Sequence, residues 1–134
     1  MKTTSTCSHD PENRWTEKPY QQASDTRKMT EVVSGVLYTG GLEGKSEIRY
    51  LMAYTDEGPV TYVGLERFEG TLDGKQGSFV LRHEGVYAEG EAKTQLFIVP
   101  NSGTGALAGI EGSGYYGAGE HASWPVELEW TIKP

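Results

Sequence analysis

A chain of 134 residues, 36% of them hydrophobic, is one domain's worth of sequence and long enough to bury a core without staples. Its formal net charge is −7, with 12 Lys and Arg scattered among 19 acidic residues in no run longer than Arg27-Lys28. That balance argues against nucleic acid and anionic membrane surfaces as partners, because neutralising phosphates requires a clustered basic patch. The single cysteine, Cys7, excludes an intramolecular disulfide and a multi-cysteine zinc site. No apolar run reaches the roughly 18 to 20 residues of a membrane-spanning helix. The first 30 residues also lack the apolar centre of a secretory signal. The expectation is a cytoplasmic protein with no cofactor and no metal.

Residues 1–29 are polar, with Trp15 and Tyr20 as the anchors available to a core. Residues 1–14 are expected to form a flexible tail, and 15–134 the folded domain. Cys7, His9 and Asp10 stand close together but have no further Cys or His at ligand spacing, so they predict no metal site.

From Thr30 the pattern turns to β. Strand-forming runs occupy 30–39, 46–56, 60–69, 77–87, 91–99, 112–117 and 123–132, separated by Gly- and Pro-containing turns. Helical periodicity is nowhere sustained for the 11 or more residues a helix assignment requires. This predicts an all-β domain, a single antiparallel barrel or sandwich of seven to eight strands with little or no helix. Asp73-Gly74, between two strand-like runs, is the strongest hairpin signal in the chain.

A hairpin symmetric about Asp73-Gly74 sets Glu66 opposite Leu81 and His83 opposite Gly64, making Glu66 and His83 diagonal neighbours on one face. A tight turn at Glu57-Gly58 adds Arg49 opposite Glu66. The opposite face of the 46–56 strand carries Ile48, Tyr50, Met52 and Tyr54, and alternation alone does not choose which face is interior.

Three stretches in order, SEIRYLMAY, YVGLERFEGTLDGKQGSFVLRHEG and SGTGALAGIEGSG, carry a resemblance, together with Trp15-Thr16-Glu17 and Tyr20. Over about residues 15–132 the chain resembles the small bacterial proteins of domain-of-unknown-function family 3224, although the polar SHDPENR departs from that pattern. The resemblance implies a small antiparallel barrel of the allene-oxide-cyclase-like, calycin-like kind. Gly103-Thr104-Gly105, followed by Gly109 and Gly112, is similar to a turn of allene oxide cyclases and dirigent proteins. Such barrels hold apolar ligands and often associate through their outer faces, so the resemblance implies a homo-oligomer. It brings no activity and no functional residues.

The Gly-rich SGTGALAGIEGSG lacks the Gly-Lys-Ser/Thr ending and following helix of a phosphate loop, and its glycines are expected to serve turns and close backbone approach. Ser78 and Ser102 lack the elbow of a serine hydrolase. His121, beside Trp124-Pro125, reads as loop. The candidate ligand-binding residues are Arg49, Tyr50, Tyr62, Glu66 and His83. A buried carboxylate at Glu66 would act as a base or anchor a ligand's polar atom, or else sit inert in an ion pair with Arg49 or Arg67. His83 would move a proton or pack as a satisfied core histidine. Three readings follow: a barrel binding a small, mostly apolar ligand, an isomerase or cyclase using Glu66, and a structural or assembly module with a filled interior.

Overall fold

The computed structural model describes residues 1–119 and 122–134, and His121 lies outside the described residues. Among the described residues, nine strands form one antiparallel sheet: β1 (Lys2–His9), β2 (Thr16–Gln22), β3 (Lys28–Gly40), β4 (Leu42–Tyr54), β5 (Val60–Leu72), β6 (Lys75–Ala88), β7 (Glu91–Ile98), β8 (Ile110–Ala118) and β9 (Ser123–Ile132). The helical content of the described residues is a single 3-10 turn, Gly105–Leu107. No helix there is long and apolar enough to cross a membrane.

Strand β3 is long enough to be shared. Its first half pairs with β2 and its second half with β1, which also pairs with β9. The β1–β3 pairing closes an eight-stranded barrel of β1 and β3 to β9, and β2 is left outside it as an edge strand. The expected all-β barrel is thus the fold, and closure leaves β2 as the edge the sheet presents. Alternation fills it. In β9, Trp124, Val126, Leu128 and Trp130 point inward between exposed Pro125, Glu127 and Glu129.

Residues 2–9 correct the expectation of a flexible tail, because they form a barrel strand. The strand escapes a hydropathy reading because its inward residues are Thr3, Ser5 and Cys7. Their hydroxyls are satisfied in the core: Ser5 accepts from the Leu42 amide at 2.8 Å and Thr3 from the Trp130 indole at 2.9 Å. Thr3 in turn donates to Asp73 at 2.9 Å. Small hydroxylated side chains fit where bulky Trp124 and Trp130 claim the neighbouring volume.

The hairpin at Asp73-Gly74 forms as the sequence predicts. Both turn residues have positive φ (47° and 83°), and Leu72 pairs with Lys75. A two-residue turn of this hand matches the twist of the strands it joins. Glu66 therefore lies opposite Leu81 and His83 opposite Gly64.

The preceding connection differs by one residue. Tyr54 pairs with Val60, so five residues span the gap, and Glu66 faces Ile48 while Arg49 faces Leu65. That shift turns Arg49 outward, and Ile48, Tyr50 and Met52 inward.

One end of the barrel is packed solid by Leu42, Leu72, Phe68, Phe79 and Leu107, all fully buried. The Gly-rich segment seals this end by running back along β6. Thr104 donates to the Ser78 carbonyl through its amide at 2.9 Å, and Ser102 accepts from the Val80 amide at 3.0 Å. A Cβ at Gly77 would stand 2.1 Å from the Thr104 carbonyl oxygen, so only glycine permits this approach.

Candidate functional site

Midway along the barrel sits the one fully buried acid–base pair among the described residues. Glu66, from β5, and His83, from β6, are 0% and 1% exposed and meet at 2.6 Å between Oε1 and Nε2. Tyr38 reaches in from β3 and donates to Glu66 Oε2 at 2.5 Å, so both carboxylate oxygens are engaged. An ionised carboxylate only accepts, which places a proton on His83 Nε2 and leaves Nδ1 facing the Tyr50 hydroxyl at 3.5 Å. Tyr50 continues to the Tyr116 hydroxyl at 3.1 Å. The polar chain thus runs from Tyr38 through Glu66 and His83 to Tyr50 and Tyr116.

Its electrostatics follow from the surroundings. Burial pushes the Glu66 carboxyl up, but the hydrogen bond and charge of His83 and the Tyr38 hydroxyl outweigh it and hold the group below its ordinary 4.5. Burial first, and the nearby Glu66 charge second, push the Tyr38 phenol well above its ordinary 10.0. The same two causes, in the same order, drive the Cys7 thiol far above its usual range. Cys7 is only 2% exposed. We expect Cys7 in the folded protein to resist iodoacetamide at pH 8 and to react fully once denatured, as read by intact mass. Rapid labelling of the native chain would show that β1 detaches.

Above the pair, at the end opposite the packed one, the barrel holds a cavity of about 200 Å3. Its walls include His9, Trp15, Tyr50, Met52, Tyr62, Tyr116 and Trp124, and its rim residues Trp15, Tyr87 and Gly119 are exposed. Trp15 leans across the mouth from the residue before β2, with its ring centroid 6.0 Å from that of Tyr50 and 6.3 Å from that of His9. Its indole N–H donates to Glu17 at 3.1 Å, and Glu17 also accepts from Tyr54 and Thr30. Tyr62 shares a 2.5 Å hydrogen bond with Thr94.

Of the residues named from sequence, Tyr50 and Tyr62 line this cavity, and Glu66 and His83 lie beneath it. His83 connects to the cavity through the Tyr50 hydroxyl. Arg49 belongs elsewhere: it lies on the outer surface, paired with Glu47 at 3.3 Å, because of the five-residue β4–β5 loop. Arg67 likewise pairs outside with Glu69 at 3.0 Å, so neither arginine meets Glu66. Sequence reading missed Tyr38, Tyr116, Trp15 and Trp124 as site residues. For Trp124 a signal existed in the strict alternation of 123–132, whereas Tyr38 and Tyr116 reach the site by closure across the barrel.

The match to known families is decisive. Residues 12–130 match the family model described as a protein of unknown function, DUF3224. The chain belongs to the DUF3224 family. A solved structure from that family, a protein with unknown function from Shewanella oneidensis MR-1, is similar over 100% of both chains, with 28% sequence identity and a TM-score of 0.76. No functionally curated protein matches the chain. Membership in DUF3224 therefore fixes the fold, and the chemistry has to be argued from the site.

Proposed function

We propose that this protein is a binding barrel whose mouth cavity takes one small, mostly apolar molecule. The observation that carries the reading is the cavity itself, about 200 Å3 of space at one end of an otherwise packed barrel. Packed interiors rarely leave voids larger than a water, and an apolar cavity of about 150 Å3 already accommodates benzene. Apolar walls with a few placed hydroxyls, here Tyr50 and Tyr116, are the usual make-up of a small-molecule site. The buried pair suits a binder better than a catalyst, since both Glu66 oxygens are occupied by Tyr38 and His83.

The test is a titration with indole or benzene, read through Trp15 and Trp124 fluorescence. A saturable change with Kd below about 1 mM is expected, abolished by Ala118→Leu, which fills the cavity from β8. An unsaturable response, or one unchanged by Ala118→Leu, would contradict the reading.

A second reading, assembly, is favoured by the outer face of β4 to β6. Leu51, Val63 and Leu65 are 47%, 48% and 56% exposed there, side by side across the strands. A second copy of this chain is the occupant that fits. Lys45, Arg49, Arg67 and Arg82 are balanced on this face by Asp10, Glu47, Glu69 and Glu84, so two copies meet without the repulsion of a chain at −7. Light scattering should give a dimer mass that Leu65→Asp returns to the monomer. A monomer at 100 μM would overturn it.

A further inference from the structure

We propose that the mouth cavity prefers a small organic cation of the methylated-ammonium class over a neutral molecule of the same shape. This deepens the binding reading and rests on it. Its starting point is a closed circuit of aromatic rings at the cavity. Centroids are 6.3 Å apart from His9 to Trp15 and 6.0 Å from Trp15 to Tyr50, then 5.5 Å from Tyr50 to His83. The circuit returns through Tyr116 at 5.9 Å and Trp124 at 6.2 Å to His9 at 5.0 Å. All of these except His83 line the cavity. Aromatic faces carry partial negative charge and attract a cation, most strongly once both are out of water.

The charge distribution points the same way. Among the described residues, no Lys, Arg, Asp or Glu lines the cavity, and no Lys or Arg is buried in the barrel. Below the cavity the Glu66 carboxylate is paired with His83 and turned away from the wall. An anionic ligand would find no Lys or Arg on the described lining to pair with, which disfavours fatty acids and other carboxylates. A cation meets ring faces with no Lys or Arg on the described lining to oppose it. His9, on the wall, is held below its ordinary 6.5 by burial and by Arg14, and so adds no positive charge at neutral pH. Arg14 itself is exposed, where salt screens it.

Hydrogen-bonding capacity then narrows the class. A primary ammonium brings three donors. The described lining offers hydroxyls and the His9 ring but no carboxylate to answer them. A quaternary nitrogen needs no acceptor and presents only methyl groups to the rings.

The experiment compares choline with 3,3-dimethylbutan-1-ol, its uncharged isostere, by calorimetric titration of the full chain at constant ionic strength. Choline is expected to bind at least about tenfold more tightly. Trp15→Leu, at an exposed position on the wall, should shrink that ratio by weakening choline alone. Equal or tighter binding of the alcohol, or binding of indole with no binding of choline, would overturn the cation preference and leave the binding reading intact. No saturable binding by choline, the alcohol or indole would overturn both.

Discussion

Replacing His83 with Leu is expected to remove about 3–5 kcal/mol of unfolding free energy at pH 7, because it strands the Glu66 carboxylate in the barrel interior without its partner. Against the roughly 5–15 kcal/mol that holds a typical domain, such a loss is severe. The pH dependence should also change sign. In the native protein the Glu66 carboxyl sits below 4.5, so its ionised form stabilises the fold above about that pH. That contribution is lost as pH falls through the lowered folded value. In His83→Leu, burial acts on Glu66 with one hydrogen bond left, from Tyr38, and the folded carboxyl rises above its unfolded value. The folded state then holds the proton more tightly than the unfolded chain, and stability increases as pH drops from 7 toward 4.5. Urea denaturation at pH 7 and pH 5 reads both effects. Pairing His83→Leu with Glu66→Leu should recover much of the loss, since a packed apolar pair replaces a buried ionic one at little cost. A His83→Leu protein as stable as the parent at pH 7 would mean that Glu66 is solvated in a way the buried geometry denies.

Removing residues 1–9 should be more damaging still. Strand β1 is the closing element, paired with β9 on one side and with the second half of β3 on the other. Without it, Val36 and Tyr38 on β3 and Trp124 to Trp130 on β9 lose their cover, and two long strand edges open to solvent. The expected outcome is loss of the cooperative thermal transition and aggregation, seen by circular dichroism and size-exclusion chromatography. A truncated chain melting within about 4 °C of the full one would contradict this, since about 1 kcal/mol corresponds to roughly 4–8 °C in a small domain.

Both predictions turn on features that sequence disclosed unequally. The Glu66–His83 neighbourhood was legible because Asp73-Gly74 forms a two-residue turn, which fixes register over the whole β5–β6 hairpin. Arg49 was misplaced because Glu57-Gly58 sits inside a five-residue loop, and one residue of slip exchanges the faces of a strand. Strand β1 was hidden because it points hydroxyls, not aliphatic groups, into the core, where Leu42, Trp130 and Asp73 satisfy them. Tyr38, on β3, faces Tyr116 and Trp124, on β8 and β9, only when β1 closes the barrel, a long-range event that local patterning does not encode. The interior was therefore half visible, through the one hairpin that carries its charged pair.

Native mass spectrometry of the gently purified protein tests the central claim, a mouth cavity that holds one small molecule, most directly. The account predicts a single discrete adduct per chain, of one-ring size to suit a cavity of about 200 Å3, and lost in Ala118→Leu while the fold is retained. A bare chain mass, unchanged after exposure to choline, indole and benzene, would contradict it.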